Sequence, residues 1–221
     1  WHYLKFHFPL VKEITSLSFV TFSRQGVVSI LAIILNHTLY TFGGEHSVVV
    51  YGIISRMLMF ALFPVLGITQ GFLPIAGYNY GANNHKRVKE TIFISIKYAA
   101  ILATIIFIGI LTFTHEIVAV FTKDEKVLAE TPNALRWVFA ASPIIAIQLI
   151  GAAYFQAAGK AKKALFLTLS KQGFFLIPLV LVLPNFFGIF GAWIAFPISD
   201  VLSTMITYYF LNRELKTYLT T

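Results

Sequence analysis

Long apolar stretches separated by short polar segments run through the chain. Six of them reach the roughly 20 residues that a helix needs to cross the hydrocarbon core of a bilayer. They cover about residues 16–42, 48–73, 91–113, 134–158, 164–183 and 190–211. Glycine, proline, asparagine and charged residues lie between them. The pattern predicts an all-α integral membrane protein, with six transmembrane helices in a single membrane domain over residues 1–221.

The segments around the spans also carry structural signals. Residues 1–15 mix aromatic side chains with histidine and lysine, which is typical of a segment at the membrane interface, so an interfacial lead-in is expected there. Residues 117–121 in the third loop are predicted to form a second, short interfacial helix. Proline inside a membrane helix removes a backbone donor. Bends are therefore predicted inside four spans, at Pro64, Pro143, Pro178 and Pro197.

Composition narrows the class of protein. Hydrophobic residues make up 57% of the chain and charged residues only 12%, about half of what a soluble domain carries. This excludes a soluble enzyme, a nucleic-acid-binding domain and a disordered chain. The absence of cysteine removes disulfides and thiolate chemistry, and the six histidines show no metal-binding spacing. We therefore expect no enzyme activity, metal or nucleic-acid partner.

The positive charges predict an orientation. Of the 17 lysines and arginines, 13 lie at or beside the two ends and the second and fourth loops. The opposite side holds Lys123, Lys126 and Arg136, and Arg56 lies within a span. By the positive-inside rule, both ends of the chain are predicted to be cytoplasmic in a plasma (inner) membrane, with the third loop outside.

Polar residues in the first span lie on one helical face. Gln25, Ser29, Asn36 and Tyr40 are spaced by 4, 7 and 4 residues. Polar groups are costly in hydrocarbon, so this face is a candidate lining of a solvated cavity. The alternative is that these groups hydrogen-bond to a neighbouring helix.

The second span has a mixed face of a cation, flexible and aromatic side chains and an amide: Arg56, Met59, Phe63 and Gln70. Methionine and aromatic residues repack around ligands of different shape, so the face is a candidate substrate surface. Arg56 has two alternatives: a structural contact with backbone carbonyls, or snorkelling to the interface.

The sixth span contains the one acidic residue deep inside any predicted span, Asp200. Ser203, Thr204 and Thr207 follow it on the same face. A carboxylate at this depth must be protonated, paired or solvated. Proton relay, cation binding and a pair with a distant basic residue such as Arg56 all remain open, so these four residues are cavity candidates and Asp200 is a candidate coupling site.

The fourth span adds Gln148 to the cavity candidates. Gln156 and Lys160 lie one helical turn apart near the end of that span. We interpret these two residues as structural.

Several motifs lie along the chain in a fixed order. They are Gln70–Ala82 followed by Lys86–Lys89, then Tyr154–Lys160, Gln172-Gly173 with Pro178, Leu183-Pro184, and Gly188, Gly191-Ala192-Trp193 with Pro197–Asp200. Together they resemble the multidrug and toxic compound extrusion (MATE) family of transporters, over the whole chain.

The resemblance implies a twelve-helix, pseudo-symmetric fold of which this chain is the C-terminal lobe, helices seven to twelve. It also implies half of a secondary active antiporter that exports cationic, amphipathic compounds in exchange for Na⁺ or H⁺. The expected partners are the missing N-terminal lobe, membrane lipid and small cationic drugs. The first residue is Trp1 rather than methionine, which agrees with a fragment of a longer protein.

The resemblance leaves the coupling site and two other functions open. Some branches of the family place a cation site on helices seven and ten, but 16–42 and 134–158 contain no Asp or Glu. The chain is closer to the branch that resembles the DNA-damage-inducible F proteins, so the main coupling site is expected in the other lobe. The alternatives are a flippase for lipid or polysaccharide precursors, whose cavity should be strongly cationic, and a non-transporting membrane scaffold.

Overall fold

A computed structural model describes residues 8–217, which contain helices but no strand. The α-helices are α1 (Phe8–Gly81), α2 (His85–Thr112), α3 (Thr114–Phe121), α4 (Glu125–Phe139), α5 (Ile145–Ala157), α6 (Ala161–Leu169), α7 (Ile177–Val182), α8 (Pro184–Phe187) and α9 (Ile189–Thr217). A 3₁₀ turn at Ser142–Ile144 connects α4 to α5, and a π-helical segment at Ser170–Leu176 connects α6 to α7.

Helix α1 is divided at Gly44. Its apolar part, Gln25–Gly81, has 57 residues and would be about 86 Å long as a straight helix, far more than the roughly 30 Å of hydrocarbon. Gly44 has φ 74° and ψ −172°, a conformation that only glycine adopts readily. It separates α1 into two arms, residues 8–43 and 45–81, whose side chains join one hydrophobic core. Together with the four further apolar helical stretches, the two arms give six crossings.

Several helices extend past the spans that the apolar pattern indicates. The second arm of α1 reaches Gly81, α2 begins at His85 and α9 continues to Thr217. Their polar ends remain helical because local capping satisfies the backbone: the side chain of Asn84, for example, accepts from the backbone N–H of Arg87. Of the predicted lead-in, residues 1–7 lie outside the described part and residues 8–15 continue directly into α1.

Two of the four prolines predicted to bend helices lie at a local change of geometry. Pro143 lies in the 3₁₀ turn, and Pro178 lies just after the π-helical segment. Proline cannot donate to the preceding turn and its ring crowds that turn, which favours a wider turn before Pro178. By contrast, Pro64 and Pro197 lie inside α1 and α9 with no non-helical residue beside them, so the bends predicted at these two positions stay predictions.

The core consists of two main hydrophobic clusters, one towards each end of the lobe. The cluster towards Gly44 includes Leu35, Leu39, Ile54, Leu135, Phe139 and Trp193. The cluster towards the basic loops includes Phe72, Ile92, Ile150, Tyr154, Phe155 and Leu167. Helices α1 and α9 contribute to both clusters, so they connect the two halves of the lobe.

Polar contacts of a glutamate hold both ends of the lobe. At the basic end, the buried carboxylate of Glu214 on α9 pairs with Lys160 and, at 3.2 Å, with Lys163. Burial, followed by the charge of Lys163, lowers the pKa of Lys160. At the other end, Glu130 on α4 lies 2.9 Å from Nε2 of His46, at the start of the second arm of α1. These contacts connect helices that are distant in sequence.

Helices α5 and α9 approach each other closely at Gly151. A Cβ atom at this position would lie only 2.4 Å from Cγ2 of Thr207. The side chain of Thr207 is fully buried, and its hydroxyl donates to the backbone carbonyl of Ser203. The absence of a side chain at Gly151 therefore sets the distance between the two helices.

We expect Gly151→Ala to lower the free energy of unfolding by roughly 1–3 kcal/mol, because the added methyl overpacks this contact. Adding Thr207→Ser, which removes Cγ2 and keeps the hydroxyl, should recover most of the loss. The matched control is Gly52→Ala, where a Cβ meets nothing within 4 Å. Thermal unfolding of the purified variants measures the effect, and a Gly151→Ala protein as stable as the control would contradict the close contact.

Candidate transport site

One candidate surface is the exposed face of α1. The polar residues predicted from the first span, Gln25, Ser29, Asn36 and Tyr40, are exposed in the structure. Arg56, Met59, Phe63 and Gln70 on the second arm are exposed as well, with 60% of Met59 and 58% of Phe63 accessible. No described residue covers these side chains, so the lobe presents an open face with polar and aromatic groups.

A second candidate is a groove of about 790 Å³ towards the basic end. The second arm of α1, α5 and α6 form its walls. Its polar lining residues are Thr69, Gln70, Gln148, Gln156 and Thr168. Leucine, proline, alanine and glycine complete the walls, so an extended apolar surface surrounds a few hydrogen-bonding groups, which is the usual composition of a small-molecule site.

The groove forms where two of the sequence motifs meet. Gln70 belongs to the motif at 70–82 and Gln156 to the motif at 154–160. The rings of Tyr80 and Tyr154, one from each motif, pack edge to face with centroids 6.3 Å apart. The two motifs that line the groove therefore also pack against each other.

Asp200 lies inside the lobe and not on the open face. It is 3% exposed, and its Oδ1 lies 2.5 Å from Nζ of Lys171 in the π-helical segment. Arg56, the partner considered from the sequence, is exposed. The structure therefore corrects the assignment of Asp200 to a solvated cavity: its charge is neutralised by Lys171.

The hydroxyls beside Asp200 are buried as well. Ser203 donates to the backbone carbonyl of Asp200 at 3.1 Å, and Thr207 donates to the carbonyl of Ser203 at 2.8 Å. Thr204 is buried and its hydroxyl has no partner among the described residues. These three residues are also corrected from cavity lining to helix packing, because the polar face of α9 turns towards α5 and the π-helical segment.

The ion pair lies about halfway along the two crossings that contribute it. Lys171 is about 15 Å from the start of α6, and Asp200 is about 16 Å from the start of α9, which runs in the opposite direction. Along both helices, the pair separates residues of the two hydrophobic clusters. A charge at this depth is costly unless it is paired, so the contact holds the π-helical segment against α9.

Sequence reasoning missed two of these residues. The positive-charge pattern assigned Lys171 to the cytoplasmic side, although it lies well inside the fifth crossing. The same pattern assigned Lys97 to that side, and it lies inside α2. Gln156 was interpreted as structural, yet its side chain lines the groove. The signal for Lys171 was a single lysine about halfway along an apolar stretch, at the same depth as the one deep carboxylate.

The six crossings and the open polar face define a multi-pass α-helical membrane protein. The family model MatE matches residues 22–182, and the chain belongs to the MATE family of transporters. This agrees with the resemblance of the sequence motifs and with the predicted all-α membrane fold.

Individual relatives support the same family. The multidrug export protein MepA of Staphylococcus haemolyticus (strain JCSC1435) is 26% identical over 208 residues, which cover 92% of this chain and 45% of the relative. MepA of Staphylococcus aureus (strain N315) is 24% identical, with 93% and 46% coverage. The chain thus spans about half the length of these curated relatives.

Solved structures show the same fold. The chain matches the MATE multidrug transporter DinF-BH with a TM-score of 0.85 and 37% identity, over 100% of this chain and 50% of that one. A MOP superfamily transporter from Pyrococcus furiosus aligns with a TM-score of 0.90 and 22% identity, over 98% and 49%.

We expect Asp200→Leu and Lys171→Met to destabilise the lobe by roughly 3–5 kcal/mol each, because either change leaves an unpaired charge in the middle of the membrane. The double variant should recover folded protein, since neither charge remains. Arg56→Met is the control for the alternative pair and should change folding little. Abundance and monodispersity of the purified variants measure the effect; a double variant as unstable as the worse single variant would contradict the pairing.

Proposed function

We propose that this chain is half of a secondary active multidrug efflux antiporter, which works with a second six-helix lobe. The observation that carries the proposal is the open face of α1, in a lobe whose deep carboxylate is already paired. Relatives named as multidrug exporters and twice as long as this chain support the two-lobe arrangement.

The chemistry of the open face suits cationic, amphipathic substrates. Tyr40 and Phe63 offer aromatic surfaces, which attract cations through the electron density of their rings. Met59 adds a flexible, polarizable side chain that adapts to different shapes. An adaptable aromatic surface is expected of an exporter that accepts many compounds.

The ion pair argues against a coupling role for Asp200. Coupling to Na⁺ or H⁺ requires a carboxylate that exchanges its cation during transport, whereas Asp200 is buried with Lys171. We therefore place the main coupling site, for Na⁺ or H⁺, in the second lobe. Asp200 acts in this proposal as a positioning residue.

A flippase for lipid-linked pyrophosphates is less well supported. Such a substrate calls for several convergent cations, yet no lysine or arginine is among the groove's lining residues. A non-transporting scaffold would have no use for unpartnered amides in a groove. Both observations favour export of drugs over these two alternatives.

The proposed setting is the plasma (inner) membrane, with lipid around the lobe, small cationic drugs as substrates and no nucleic-acid partner. Lys97 and Lys171 lie inside crossings and do not bear on the orientation. Most of the other basic residues lie towards the end of the lobe that carries Lys86–Lys89 and Lys160–Lys163. We therefore place that end, and both ends of the chain, in the cytoplasm.

Ion-coupled export is testable in cells that produce the full transporter containing this lobe. Efflux of a cationic dye should stop when the gradient of the coupling ion is removed, and removing the Na⁺ and H⁺ gradients in turn shows which ion that is. Phe63→Ala should weaken export roughly tenfold, because an aromatic contact with the dye is lost. Phe186→Ala, which changes an exposed phenylalanine on α8, is the control. Efflux that survives removal of both gradients would contradict antiport.

The orientation is testable with single cysteines, because the chain has none of its own. A cysteine at the exposed Glu45, beside the break in α1, should react with a membrane-impermeant maleimide in intact cells. One at the exposed Asn84 should react only after permeabilisation. The reverse labelling pattern would overturn the proposed topology.

A further inference from the structure

Three glutamine side chains line the groove without a protein partner. Gln148 on α5 is only 6% exposed, and within residues 8–217 no group hydrogen-bonds to its side-chain amide. The side chains of Gln70 and Gln156 likewise make no hydrogen bond to any described residue, and they line the groove from two different helices, α1 and α5. The groove thus contains amides whose bonding capacity is unused.

Amide groups at this depth that bond to no protein group require another hydrogen-bond partner. A primary amide offers two donors and an acceptor oxygen, and leaving such groups buried and unbonded costs free energy. Gln148 lies about 14 Å along the helix from the end of α5, deep enough that lipid supplies no hydrogen bonds. Water or a bound molecule with polar groups must therefore satisfy it.

The groove is uncharged. None of its lining residues is Asp, Glu, Lys or Arg, and the deep charges of Lys171 and Asp200 neutralise each other. A permanent cation would leave water for this apolar space without a counter-charge, which is unfavourable. A neutral molecule with carbonyl or N–H groups would lose much less hydration free energy on entering the groove.

The shape of the groove leaves room for such a molecule. Ala152, Ala153, Ala157, Ala161 and Ala164 form much of its walls, and their short side chains leave the volume of about 790 Å³ open. Gln70 and Gln156 are exposed, so the groove is accessible from outside the lobe.

We propose that this groove is a binding site for uncharged amphipathic solutes, whose carbonyl and N–H groups bond to the amides of Gln70, Gln148 and Gln156. The inference goes beyond the proposed export of cations, because it assigns a second ligand class to a second surface of the lobe. The residues of the open face other than Gln70 receive cations, and the groove, to which Gln70 belongs, receives neutral molecules.

The test compares two fluorescent tricyclic probes of similar shape: neutral acridone, with one carbonyl and one N–H, and the cation 10-methylacridinium. Equilibrium binding is measured on the full transporter in lipid nanodiscs, without any ion gradient. Gln148→Leu removes the buried amide at similar volume. It should weaken acridone binding about tenfold and change 10-methylacridinium binding by less than about twofold.

Two further variants complete the design. Gln156→Leu changes an exposed groove residue that is not part of the open face of α1. It should also weaken acridone selectively, which keeps the test valid if Gln148→Leu does not fold. Asn133→Leu changes an exposed amide on α4 outside the groove and should affect neither probe. Failure of wild type to bind acridone, equal losses for both probes, or acridone binding unchanged in both glutamine variants would overturn the proposal.

The binding test and the efflux test fail independently. Selective loss of acridone binding would support the groove site even if export needed no ion gradient. Ion-coupled efflux of a cationic dye would support the proposed function even if acridone did not bind.

Discussion

Hydrocarbon cannot solvate a charge. In the middle of the lobe, Lys171 and Asp200 meet this constraint by pairing with each other. The pair holds the π-helical segment against α9 at the depth where one hydrophobic cluster gives way to the other. On the same face of α9, the hydroxyls of Ser203 and Thr207 bond to their own helix, and the polar face is buried. The close approach at Gly151 then brings α5 against the same face.

Internal pairing determines which polar groups remain for function. The buried carboxylates are matched within the lobe, Asp200 by Lys171 and Glu214 by two lysines. Ser29 bonds to its own helix, whereas the side chains of the other polar candidates on the open face of α1 and the amides of the groove make no hydrogen bond to a described residue. These two surfaces differ in chemistry: one combines aromatic rings with polar groups, and the other combines neutral amides with small apolar residues. A transporter that accepts varied compounds would benefit from both.

The fold tolerates wide divergence because its constraints concern helix length, close contacts and charge pairing. Two solved transporter structures, 21% and 22% identical to this chain, each align with a TM-score of 0.90. A side chain on an open face does not hold helices together, so it can vary while the fold is kept. Residues on the open surfaces are therefore where exporters of the same fold can differ in the compounds that they bind.

The sequence alone was sufficient for the membrane class, the apolar lengths of the crossings, the separation of the first two spans and the family. These properties depend on local composition and on order along the chain. It also identified the exposed stripe on α1, since helical periodicity places Gln25, Ser29, Asn36 and Tyr40 on one face. It did not predict that Asp200 meets Lys171, nor that Gln156 joins Gln70 and Gln148 in a groove. Periodicity indicates which residues share a face, whereas the packing of helices distant in sequence decides which faces meet. Only the tertiary structure, through the contacts among α1, α5, α6 and α9, determined which polar groups were buried as pairs and which remained open.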